Sequence, residues 1–179
     1  IMVIMEALFL KTKNPIYQSM AKFWTKVFAL TFGLGVATGI VMECDPGPHW
    51  PNYTRQVGAN FGTPLAAQAI FAHFLESTFL GILVFGWNKV GPKMHLFSAI
   101  CVALGAILSA FWIIVANSWM QTPAGYKIVE ETVNGIITNR AVITDFWAMV
   151  FNPSTIERFT HVISASWLTG SFLVISISA

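Results

Sequence analysis

The sequence predicts an all-α fold: a polytopic transmembrane helix bundle of about four full spans behind a truncated first helix, with an outer-side loop that forms a β-hairpin. Three observations predict it. First, 55% of the 179 residues are hydrophobic and only 10% are charged, with a mean hydropathy of +0.66, whereas a soluble domain carries about a quarter charged residues. Second, the stretches 23–42, 61–87, 95–117 and 156–179 reach or approach the roughly 20 apolar residues that cross a hydrocarbon layer. Third, the basic residues alternate between the connecting segments, as the charge rule for membrane topology requires.

Residues 1–10, IMVIMEALFL, read as the end of a helix already under way, and LTGSFLVISISA still reads as apolar at the other end. The chain is therefore expected to be a piece of a longer membrane protein, a single membrane domain over 1–179. No signal-peptide pattern is present, because the basic residues follow the apolar run instead of preceding it. Lys11, Lys13, Lys22 and Lys26 lie ahead of or at the start of the first full span, 44–60 holds only Arg55, and the turn NKVGPK holds Lys89 and Lys93. Segment 118–155 sets Lys127 and Arg140 against Glu130, Glu131 and Asp145. Residues 11–22 and 88–94 are thus expected on the cytoplasmic side, and 44–60 and 118–155 on the outer side.

In the first full span, Gly35 and Gly39 stand at the GxxxG spacing that lets a second helix approach closely. Within 118–155, Asn134-Gly135 flanked by β-branched residues predicts a hairpin. AVITDFWAMVF is too short for a span and carries Asp145, which predicts an interfacial segment. Ser154 followed by Glu157 fits a capping box that starts the last helix near Thr155.

Several function classes drop out early. The net charge of +2 contains no basic block, so nucleic-acid binding has no support. Cys44 and Cys101 form no CxxC pair, which removes thiolate zinc and iron–sulfur sites.

The residues with chemistry sit inside the apolar runs. Gln68 and Glu76, eight residues apart, share one stripe if 61–87 is helical. An acid at membrane depth costs several kcal/mol unless it meets a partner or water, so Glu76 marks a bundle interior or cavity. It can be a proton-exchanging group or a neutral hydrogen-bonded structural residue. His73, three residues earlier, can pair with it, bind a metal or simply pack. Ser77 and Thr78 can bond back to the preceding turn. Ser109, Asn117 and Trp112 are the notable members of 95–117, and Trp119 just beyond is placed as an interfacial aromatic. His161 lies about 9–10 Å along the last helix from Thr155, with the small residues Ser164 and Ala165 following. It suits a haem iron ligand and equally a satisfied core histidine. Arg158, one turn earlier, can meet a haem propionate or a lipid phosphate.

The stretches KFWTKVFALTFGLGVATGIVMEC, FGTPLA, FLESTFLGILVFGW, LSAFWIIVANSWMQTPAG and TDFWAMVFNPSTIERFTHV together resemble subunit I of the cytochrome bd-type quinol oxidases. The resemblance covers nearly all of the chain. It implies a bacterial or archaeal cytoplasmic-membrane subunit, lying in lipid and forming a heterodimer with a second oxidase subunit. Quinol would be oxidised near the outer face, with electrons passing through a low-spin haem b toward a high-spin haem b and haem d, where oxygen is reduced. Protons would come from the cytoplasm.

By the same resemblance, His161 in RFTHV matches the ligand of the low-spin haem b, and Arg158 a basic residue beside it. Glu76 and Ser77 in FLES and Ser109 in LSAFW match the proton route. Asn117 and Trp119 fall in an NGWMQTP-like signature in which this chain has Ser118 in place of Gly. The family's N-terminal histidine ligand, quinol loop, methionine partner of His161 and later glutamate ligand are expected outside residues 1–179. One departure stands out: where the family reads PLAxE, this chain reads PLAAQ, so Gln68 occupies a dihaem-site glutamate position. Glutamine neither takes up a proton nor supplies an anionic ligand. Two other readings therefore stay open: a degenerate paralogous subunit that carries electrons or serves structure without reducing oxygen, and a transporter using Glu76 as its proton site.

Overall fold

A computed structural model of the chain describes residues 1–44, 57–58, 62, 68, 74–133 and 136–179. Its elements run α1 (Met2–Thr12), α2 (Pro15–Cys44), α3 (Phe74–Phe85), α4 (Pro92–Gln121), β1 (Tyr126–Val133), β2 (Ile136–Ile143), α5 (Phe146–Val150) and α6 (Thr155–Ser178). Three of these helices are long and apolar enough to cross a membrane: Pro15–Met42 within α2, all of α4 and all of α6. At 1.5 Å per residue, the 30-residue α4 extends about 45 Å, which exceeds the roughly 30 Å hydrocarbon layer. The protein is an integral membrane protein. Of the expected span 61–87, the described helix is α3; Ala69–His73 lie outside the described residues.

α2 starts earlier than the expected span because its start is built locally. Lys13 adopts the left-handed conformation, φ 59°, and its N–H closes α1 onto Phe9 O. Asn14 Oδ1 then accepts from the Ile16 N–H at 3.0 Å, and Pro15 supplies the first helical position. Proline is suited there because its missing N–H would have no helical partner. Lys22 and Lys26 are therefore helical residues rather than loop residues.

The described residues fall into two compact units. The first, Ile1–Thr54 with Ala69–Ser109, has a core of Leu83, Ala99 and Val102 backed by Phe28, Phe79 and Leu80. The second, Arg55–Gln68 with Ala110–Ala179, is centred on Val115, Trp119, Met149 and Val150. Beyond these cores the long helices show large apolar side chains outward: Leu30 on α2, and Trp167 and Phe172 on α6. Such surfaces suit lipid or a neighbouring protein rather than water. Nothing described lies within 4 Å of where a Cβ on Gly35 or Gly39 would stand, so the GxxxG face packs against no described helix.

The hairpin within 118–155 forms as the sequence indicates. β1 and β2 pair antiparallel from Tyr126 opposite Ile143 to Val133 opposite Ile136. The connection is thus Asn134-Gly135, which itself lies outside the described residues. Gly125 opens the hairpin at φ +67°, and a Cβ there would stand 2.4 Å from Asp145 O. Its carbonyl accepts from the N–H groups of Thr144 and Asp145, which closes the base of the hairpin.

AVITDFWAMVF is not one interfacial stretch. Its first three residues end β2, and Asp145 Oδ1 accepts from the Ala148 N–H at 3.0 Å to cap α5. Asp145→Ala is expected to cost about 1 kcal/mol, a typical cap loss. It should speed amide hydrogen exchange over 146–150 while leaving the β1–β2 amides protected.

Candidate functional site

α6 begins at Thr155, but not through the expected capping box. Ser154 makes no side-chain cap bond to its own helix. Its hydroxyl is drawn instead into a polar cluster with Thr122 and Asn152. Asn152 Nδ2 donates to Ser118 Oγ at 2.9 Å, Ser118 Oγ meets Thr155 Oγ1 at 2.9 Å, and Thr122 Oγ1 donates to Asn152 Oδ1 at 3.0 Å. Ser118, Asn152 and Thr155 are all buried. These side chains tie the last turns of α4 to the first turn of α6, and a local cap lost to Ser154 is replaced by long-range bonds.

This junction sets the register in which α6 presents Arg158 and His161 beside α4. Arg158 Nη1 donates to Asn117 Oδ1 at 3.3 Å, and its Nη2 donates to Gln121 Oε1. Asn117, Arg158 and His161 line one open cleft of about 430 Å³ with Ile114, Ser154, Glu157 and Val162. His161 is exposed, and no described residue hydrogen-bonds its ring. An exposed imidazole that no described residue hydrogen-bonds, an adjacent guanidinium held in place and apolar wall residues form a donor set that fits a haem: a nitrogen for iron and a cation for a propionate.

Trp119 is fixed by contacts beyond the end of α4. It is 4% exposed, donates from Nε1 to Ala124 O at 2.9 Å and packs edge-on to Tyr126. The indole anchors the segment that follows α4, and it is not among the described residues lining the cleft. The reason is its position one turn before the chain reverses into β1, where a large ring fills the space between helix end and hairpin.

The other sequence candidates are distributed between the two units. Glu76 is buried on α3, 6% exposed. Ser77 next to it is exposed, with its hydroxyl turned back toward Phe74 O at 3.4 Å. Ser109 is half-buried on α4. All three belong to the first unit, whereas Gln68 is buried in the second. His73 lies outside the described residues. Among the described residues no three His, Cys, Asp or Glu side chains gather into a metal cluster.

The first unit also holds a site that the sequence reading passed over. His95 Nδ1 lies 2.9 Å from Glu6 Oε2 and its Nε2 lies 3.1 Å from Leu83 O, with both side chains buried. Glu6 is an acid inside an apolar run, the same signal that singled out Glu76.

Known proteins decide the family. The family model described as cytochrome bd terminal oxidase subunit I matches residues 1–179. The chain belongs to that family. The cytochrome bd family is haem-containing, in keeping with the donor set around His161. Among curated relatives, the chain is 42% identical over 179 residues to cytochrome bd-II ubiquinol oxidase subunit 1 of Escherichia coli K12, covering 100% of this chain and 34% of that one. It is 43% identical over 176 residues to cytochrome bd ubiquinol oxidase subunit 1 of Bacillus subtilis 168, covering 98% and 36%. The bd oxidase structure from Geobacillus thermodenitrificans superposes with a TM-score of 0.84 at 32% identity, covering 98% of this chain and 39% of that one. The chain therefore spans a little over a third of the length of these bd oxidase proteins.

Ser118 is the departure from the signature that the structure explains: its hydroxyl is the hub of the α4–α6 junction. Ser118→Ala would leave the Asn152 amide and Thr155 hydroxyl buried with a partner missing. That is expected to cost about 1–3 kcal/mol, read as a lower unfolding midpoint of the detergent-solubilised protein.

Proposed function

We propose that this chain is the part of a quinol:oxygen oxidoreductase subunit that holds the low-spin haem b, with His161 as iron ligand and Arg158 as counter-charge for a propionate. The single observation that carries this is the exposed His161 imidazole, bonded by no described residue, in a cleft with a pinned guanidinium. A haem bound there supplies one-electron transfer; the chain's own residues orient it and neutralise its carboxylates. Asn117 acts through Arg158, holding the guanidinium from α4.

The proton side of the reaction is assigned to Glu76, Ser77 and Ser109. Burial of Glu76 on an apolar helix supports this, because such an acid is retained at a cost that function offsets. The subunit pairs with a second oxidase subunit in the bacterial or archaeal cytoplasmic membrane, takes quinol and oxygen as substrates, and has residues 11–22 and 88–94 on the cytoplasmic side. The outward apolar faces of α2 and α6 are supplied for lipid and for that partner.

A second reading is favoured by one observation, the buried Gln68 at a position where the family carries glutamate. In that reading the dihaem site with its high-spin haem b and haem d is altered, and the subunit carries electrons without reducing oxygen. Reduced-minus-oxidised spectra of the full-length subunit separate the two. A red-shifted haem d band with quinol-dependent oxygen uptake supports the oxidase, and absence of both supports the paralogue.

His161→Ala is expected to abolish the low-spin haem b band while other haem bands persist; an unchanged spectrum contradicts the ligand assignment. Glu76→Gln is expected to slow turnover by about 10²-fold, the lower range for loss of a proton-transfer group, with haem content retained. Unaltered rates across pH would remove Glu76 from the proton path.

A further inference from the structure

The Glu6–His95 pair is not used by the reading above, and its geometry fixes its proton content. His95 Nε2 faces Leu83 O at 3.1 Å. A carbonyl only accepts, so Nε2 carries the hydrogen. His95 Nδ1 faces Glu6 Oε2 at 2.9 Å. A carboxylate opposite an imidazole lone pair would repel, so one proton lies between them, on either Nδ1 or Oε2. The pair is neutral with that proton and carries −1 without it, when the hydrogen bond is lost.

The other carboxylate oxygen is the informative one. Glu6 Oε1 is buried and has no hydrogen-bond partner among the described residues. Glu6 and His95 line a cavity of about 30 Å³ together with Phe9, Gln18, Trp87, Val90 and Pro92. A space of roughly 10–15 Å³ suffices for one water when polar groups hold it. Gln18 and Glu6 are such groups, so the cavity suits a water donating to Oε1.

Position gives the pair a direction. The cavity borders the turn after α3, whose Lys89 and Lys93 are exposed. His95 is anchored to α3 through Leu83, and Glu76 lies seven residues earlier on the same helix, about 10 Å deeper along its axis. Among the described residues, the charged and titratable groups with a recorded contact at the pair or its cavity are Glu6 from α1, His95 from α4, and Lys22 from α2, whose Nζ lies 5.4 Å from the centroid of the Trp87 ring. Trp87 in turn packs on His95 at 3.9 Å between centroids. The described part of α3 offers only the Leu83 carbonyl to the ring.

We infer that Glu6 and His95 form a proton-loading station between the 88–94 turn and Glu76, fed by a water in the cavity beside Trp87. This rests on the oxidase reading and adds an uptake site to it. In the step, a proton supplied through water joins the −1 pair to give the neutral one. The pair later gives up the same proton toward Glu76 and returns to −1. Glu6 and His95 are positioning residues that supply protons; they touch no reacting substrate atom.

The test uses the full-length subunit assembled with its partner and haems. Quinol-dependent oxygen uptake is measured from acid to alkaline pH for the wild type, Glu6→Gln and His95→Gln, with haem spectra as control. Glu6→Gln keeps size and hydrogen bonding, so a purely structural pair predicts wild-type turnover. The station predicts about tenfold slower turnover, a smaller loss than removing a group at the reacting centre. The deficit should widen toward high pH, where protons are scarce, with the haem bands intact. Should Glu6→Gln fail to assemble, His95→Gln, which keeps an amide donor toward Glu6, carries the same expectation. A wild-type rate and pH profile in the assembled variants overturns the station alone. A wild-type complex without quinol-dependent uptake overturns the oxidase reading, and the station with it.

Discussion

The buried hydrogen-bond junction between the end of α4 and the start of α6 is the constraint on which the candidate haem site depends. Ser118, Asn152 and Thr155 are hydrogen-bonded to one another there. In a hydrocarbon environment an unpaired hydroxyl or amide is expensive, so a closed set of partners permits very few arrangements. Fixing Thr155 fixes the helical phase of everything that follows it. Arg158 then falls opposite Asn117 and Gln121, and His161 faces the same cleft one turn later. Energy and function meet at this point: the bonds that begin the helix also aim the imidazole.

The two units hold different candidate groups. The second presents a cation and an open imidazole at one cleft, a combination suited to an anionic, metal-bearing, largely apolar ligand. The first buries two acids, Glu6 and Glu76. One of these acids is paired with an imidazole 89 positions away in the chain. Buried polar groups of this kind are what a proton path through a membrane requires. The apolar exteriors of α2 and α6 are consistent with a subunit that meets lipid and other protein along most of its length.

Much of this was legible in the sequence, because hydrocarbon imposes simple rules. Long apolar runs located α2, α4 and α6, Asn134-Gly135 located the hairpin, and NPSTIERF placed the start of α6 near Thr155. Local rules failed where long-range bonds won. Ser154 and Glu157 have the spacing of a capping box, yet Ser154 is captured by Thr122 and Asn152. Trp119 is buried against the hairpin that follows, a contact that local sequence does not announce. Lys22 looked like part of a loop, yet Pro15 and Asn14 start the helix before it. The Glu6–His95 pair was out of reach for a different reason: nothing local links an acid in α1 to a histidine at the start of α4.

The central claim is that the His161 ring binds haem iron in the α4–α6 cleft. A density map of the full-length subunit with its haems, at a resolution that shows the porphyrin plane, tests it most directly. The account predicts iron at bonding distance from a His161 ring nitrogen, with a propionate within reach of Arg158. A map in which every haem iron is coordinated elsewhere, and His161 faces lipid, would contradict it.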